Sequence, residues 1–103
     1  MMEEVYAEIR WISHSEGGRK SLPQTGRLYY PHILIDHKEE SRSWSICFTV
    51  TPINQSGISL ISFSMLADNA EANSFFSKLC TGTKFKLLEG NMVVAVGQIK
   101  SIV

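Results

Sequence analysis

The sequence predicts an all-β domain carrying one short helix. Apolar and polar residues alternate at period two through several short segments, the pattern of strands with one buried and one wet face. Clusters of Gly, Pro, Asn, Asp and Ser separate those segments, and these are the residues that turns demand. The period changes to helical spacing once, after Asp68. Several short strands at regular intervals argue for a sandwich or a barrel, and periodicity alone does not separate the two.

The first strand places Val5, Ala7, Ile9 and Trp11 on one face and Tyr6, Glu8, Arg10 and Ile12 on the other. A polar loop follows from His14 to Lys20, with Gly17 and Gly18 supplying the backbone freedom of a tight turn. Leu28 to Asp36 reads as a second strand, and Pro31 within it predicts an edge, a late start or a bulge. His37 to Ser43 is a charged turn. Trp44, Ile46, Phe48 and Val50 then alternate cleanly against Ser45, Cys47, Thr49 and Thr51. Pro52 and Asn54-Gln55-Ser56-Gly57 turn the chain into Ile58 to Leu66. The adjacent apolar pair Leu60-Ile61 breaks the alternation there, which a bulge or two-sided burial would explain. Asp68 and Glu71 have capping-box spacing, and Ala72, Phe75, Phe76 and Leu79 follow at helical intervals. The helix is expected over 70–79, with its phenylalanines closing one end of the fold. Thr83 to Leu88 and Met92 to Val103 form a hairpin across Glu89-Gly90-Asn91, in which Gly-Asn is a two-residue turn signal.

A length of 103 residues gives room for one domain, taken as residues 1–103. The composition, 44% hydrophobic and 19% charged, suits a packed core and not a disordered chain. Ten basic and ten acidic residues cancel. A dedicated nucleic-acid binder usually carries a basic excess, because phosphate neutralisation supplies most of its affinity. Cys47 and Cys80 are too few for a disulfide scaffold. No secretory signal and no apolar run of roughly 18 residues appear, so a cytoplasmic protein without membrane contact is expected.

Catalytic and metal chemistry find little support. His32 and His37 fall on opposite faces if both lie on one strand, and the two cysteines are far apart in sequence. Thr81-Gly82-Thr83-Lys84 lacks the full phosphate-loop pattern, so no nucleotide is expected. Arg10, Arg19, Lys20 and Arg27, interleaved with Tyr29, Tyr30 and His32, form the one basic concentration. Arginine beside aromatics suits RNA through phosphate pairing and stacking, while a solvated loop beside ordinary strand aromatics has the same composition.

Three stretches together resemble the third, C-terminal domain of elongation factor Tu. They are Val5 to Lys20, ending Glu16-Gly17-Gly18-Arg19; Gly26 to Ile33; and Gly82-Thr83-Lys84-Phe85-Lys86-Leu87-Leu88-Glu89-Gly90, continuing through Val93, Val94 and Gly97 to Ile99. They are similar to the family's Glu-Gly-Gly-Arg loop, its Gly-Tyr-Arg-Pro-Gln-Phe segment and its closing hairpin. Lys84 and Leu88 stand where the family has arginines, two extra residues lie between Gly26 and Pro31, and the middle of the chain does not match. The resemblance implies a six-stranded antiparallel closed β-barrel. In the full factor that barrel touches the GTPase domain, the tRNA T stem and the exchange factor. The tRNA-facing positions carry over as Arg19, Lys20 and Gly97, with Arg27 as a substitute for the arginine before proline. The expected function is a non-catalytic protein-docking module, related to translation factors or inhibiting a partner enzyme, with no cofactor. The alternative is contact with a tRNA stem or other structured RNA through the loop of Gly17, Gly18, Arg19 and Lys20.

Overall fold

A computed structural model describes residues 4–35 and 42–102. The strands are β1 (Val5–Trp11), β2 (Leu28–Tyr29), β3 (His32–Ile35), β4 (Trp44–Thr49), β5 (Ile58–Met65), β6 (Lys84–Glu89) and β7 (Met92–Ile102), with one helix, α1 (Ala70–Ser77). Every pairing is antiparallel. The order runs β3, β6, β7, β1, β5, and a β4–β5 pairing together with β3–β4 closes the ring. β2 and β3 share one register against β4 on both sides of Tyr30-Pro31, so they are two halves of one stave. The molecule is therefore a closed six-stranded antiparallel β-barrel with one short helix.

Alternation builds the wall. Val5, Ala7, Ile9 and Trp11 of β1 are buried, as are Trp44, Ile46, Phe48 and Val50 of and beside β4. Pro31 is the cause of the split stave. Its carbonyl accepts the Ile46 N–H at 3.0 Å, but proline has no N–H to return the second bond of the pair. Neither the bulge nor the two-sided burial expected in β5 is found: its pairing with β1 runs without a shift, and Leu60 is exposed. The apolar pair there has a different explanation: Ile61 faces inward, Leu60 faces solvent, and the inward position before them is Ser59. Ser59 is buried because the Trp11 indole N–H donates to its hydroxyl at 3.0 Å, and an interior indole needs an acceptor. The register shifts lie elsewhere, between Tyr6 and Ala7 and between Leu87 and Leu88.

The helix forms as its spacing predicts, but Asn69 caps it instead of Asp68, its side chain accepting the Ala72 N–H at 2.8 Å. Eight residues are too few for an independent helix, so packing must hold it. Ala72 and Phe75 are buried with Leu79, and the Phe75 ring lies 5.9 Å from that of Trp44. α1 joins β5 to β6 and so closes the end of the barrel where those strands finish and start. At the opposite end Trp11, Tyr29 and Phe48 form an aromatic cluster, with centroids 5.5 to 6.5 Å apart. Asp36 and the turn expected from His37 lie in part outside the described residues.

Candidate functional site

The loop between β1 and β2 is built from its sequence outward. Ser13 opens a single 3-10 turn over His14–Glu16, and its hydroxyl donates to the Glu16 carboxylate at 3.0 Å. That bond, then the Ser13 N–H and the nearby Arg10 charge, hold the Glu16 carboxyl below the usual carboxylate range. Gly17 ends the turn at φ 101°. Gly18 is fixed by crowding: a β-carbon there would sit 2.0 Å from the Ile12 carbonyl oxygen.

Arg19 then turns back over the barrel mouth. Its guanidinium lies 2.6 Å from the Glu89 carboxylate at the end of β6, with both side chains about one-third exposed (30% and 33%). The same carboxylate accepts the Tyr29 hydroxyl, and the Arg19 guanidinium stands 5.6 Å from the Tyr29 ring centre. Burial, followed by the bond to Glu89, pushes the Tyr29 phenol far above its ordinary value. A cation engaged this way must give up a partly buried carboxylate before it can meet a phosphate. In this structure Arg19 is held at the end of the barrel by Glu89 and Tyr29, the latter a member of the Trp11, Tyr29 and Phe48 cluster.

The other residues expected at a binding site do not converge on it. Lys20 and Arg27 are exposed, and neither forms an ion pair among the described residues. Gly97 lies in mid-wall on β7, between Ile9 and Phe85. A β-carbon there would point inward, 2.5 Å from the Phe85 ring and 2.8 Å from the Ile9 methyl. Packing thus accounts for Gly97. Its partner Phe85 is four residues from Glu89 on β6, roughly 13 Å at the usual strand rise.

The outer wall carries a feature that the sequence reading passed over. Pro31 and Ile33 face inward and are buried, which turns Leu28, Tyr30, His32 and Leu34 outward along one stave. Leu28 is 58% exposed and Tyr30 54%. Ser45 and Thr49 of β4 flank this row on one side, and Leu88 and Lys86 of β6 on the other. The two adjacent tyrosines therefore do different work, Tyr29 inside and Tyr30 outside. The parity set by Pro31 was the signal that could have separated them.

The remaining candidates are placed as follows. Cys47 is half-buried, pairing with Ser64, and Cys80 is exposed after α1; both are free thiols. Among the described residues no three His, Cys, Asp or Glu side chains cluster. Gly82, at φ 93°, turns the chain into β6, its N–H donating to the Ile99 carbonyl at 2.8 Å. No described helix is long and apolar enough to cross a membrane. The barrel wall is apolar within and carries Glu8, Arg10, Lys84 and Lys86 outside. No family model and no curated protein matches the chain.

Proposed function

We propose that this chain is a non-catalytic protein-docking barrel, with the outward stripe of Leu28, Tyr30 and Leu34 as its contact surface. The observation that carries the proposal is the pair of large apolar side chains, each more than half exposed, at successive outward positions of one stave. Leaving them half in water forgoes roughly 1–1.5 kcal/mol apiece of burial free energy, which a partner would recover. Tyrosine at the centre of such a patch is a favoured anchor, because it buries a rigid ring at small entropic cost. The interior is filled by side chains, with α1 packed at one end and the Arg19, Glu89 and Tyr29 contact at the other, which favours recognition on the outside. The resemblance to the third domain of elongation factor Tu, which docks on its neighbours, supports this reading and directs the search towards translation factors or an enzyme that the barrel blocks.

The test is affinity capture from native lysate with the wild type and a Leu28→Ser/Tyr30→Ser variant, each with and without ribonuclease. The expected result is a protein retained by the wild type whatever the ribonuclease treatment and lost from the variant. Identical retention by both would refute the assignment of this surface. Retained RNA that disappears on Lys20→Ala/Arg27→Ala substitution would put nucleic-acid contact in its place, since those two cations remain exposed.

A further inference from the structure

We infer that the partner presents an acidic polypeptide segment with apolar side chains, laid across the outer face of β3, β6, β7 and β1; this rests on the docking reading above. Strand register puts four outward side chains in one line. Leu34 is opposite Lys86, Lys86 opposite Val96, and Val96 opposite Arg10. At the ordinary strand separation that line spans roughly 14 Å. The adjacent line is Lys84, Gln98 and Glu8. A shallow groove of 270 Å³ lies along the β6, β7 and β1 part of these lines, lined by Glu8, Arg10, Lys84, Lys86, Val96 and Gln98.

Among the described residues the charges on this face do not balance. Arg10, Lys84 and Lys86 outnumber its two carboxylates, Glu8 and Glu16, although the whole chain is formally neutral. Among the described residues neither Lys84 nor Lys86 is in an ion pair. Arg10 is 3.6 Å from Glu16, and with both side chains about half exposed that pair exchanges readily for another. The positive charge is therefore a local segregation on a neutral molecule.

Its setting selects the occupant. Val96 stands between the cations, and Leu34 continues the line into the exposed stripe of Leu28 and Tyr30. A nucleic-acid backbone would use three cations and leave the apolar groups uncovered, and three phosphate contacts give weak affinity at cellular salt. A peptide segment carrying Asp or Glu beside Leu, Phe or Tyr satisfies both sets at once, and complementary charge of this kind fixes register and excludes wrong partners.

The experiment selects a random-peptide library on the immobilised wild-type barrel and sequences the enriched pool. Selected peptides are then measured against Arg10→Glu/Lys86→Glu, Lys84→Glu/Lys86→Glu and Leu28→Ser/Tyr30→Ser variants whose circular dichroism matches wild type. The expected pool is enriched in both Asp/Glu and large apolar residues. Either charge-reversed variant should bind it roughly tenfold to a hundredfold more weakly, with the loss shrinking at high salt. A pool enriched in apolar residues alone, bound equally by wild type and both charge variants, overturns the acidic-partner inference and leaves docking intact. A pool bound equally by the Leu28→Ser/Tyr30→Ser variant sinks the docking surface itself. A labelled RNA hairpin bound by the wild type more tightly than any peptide, and released by Lys84→Glu/Lys86→Glu, overturns the inference in favour of nucleic acid.

Discussion

Gly97 and Ser59 show how single positions are set by neighbours distant in sequence. Gly97 is held to glycine by Phe85 and Ile9, whose atoms lie 2.5 to 2.8 Å from any added β-carbon. Gly97→Ala should lower stability by roughly 1–3 kcal/mol through overpacking, read as a fall in chemical-denaturation midpoint at unchanged slope. An unchanged midpoint would mean the ring has room to move. Ser59→Ala leaves the buried Trp11 N–H without its acceptor and should cost about 1–3 kcal/mol. Tyr29 gives a pH signature. Its folded-state value is raised above the ordinary 10.0, so the neutral phenol is the form the fold prefers. Its contribution is fully present below about pH 10, the unfolded value, and is lost as pH rises beyond it. Melting temperature measured against pH should decline above pH 10 more steeply for the wild type than for Tyr29→Phe. Parallel curves would contradict the Tyr29 and Glu89 contact. Little of this was legible beforehand. The sequence shows that Ser59 interrupts an apolar face, but not that Trp11, 48 residues earlier, needs it. Arg19 likewise reads as a free loop cation until Glu89, 70 residues away, is placed beside it.

At the scale of elements, periodicity was the informative signal, because it depends only on local geometry. The four inward residues of β1 and the alternation of β4 were visible in the chain, as was the change of period that marks α1. The cap was less decidable: Asp68 and Asn69 are both competent, and the approach of the chain from β5 decides which side chain meets the Ala72 N–H. α1 is tied to Trp44 directly and through Arg42. Phe75 packs on Trp44, while Arg42 lies 4.0 Å from the Trp44 ring centre and 3.3 Å from Glu71. Phe75→Ala should therefore cost roughly 3–5 kcal/mol, and Asn69→Ala about 1 kcal/mol. Arg42→Ala should cost less than either, since its ion pair is exposed. Denaturant titration of the three variants checks the order, and a dominant Arg42 effect would show that the helix is held by charge and not by its buried ring.

The whole molecule is where sequence patterning stopped. Alternation cannot distinguish a sandwich from a barrel, because both bury one face of every strand; closure depends on β4 meeting β5 and on β3 meeting both β4 and β6. That step came from the resemblance at the two ends of the chain, and the barrel is what the structure shows. Closure also leaves little open sheet edge, β2 alone among the described strands being paired on one side only, so the proposed docking would use side chains of the wall. The outer stripe escaped notice in the sequence because Leu28, Tyr30 and Leu34 look like core residues until the inward-facing Pro31 fixes their parity. Hydroxyl-radical footprinting of the barrel, free and bound to its captured partner, tests the docking surface most directly. Modification of Leu28 and Tyr30 should fall sharply in the complex, while Leu66, at the helix end, stays equally reactive. Leu28 and Tyr30 equally modified in both states, with protection confined to the loop carrying Lys20, would contradict the account.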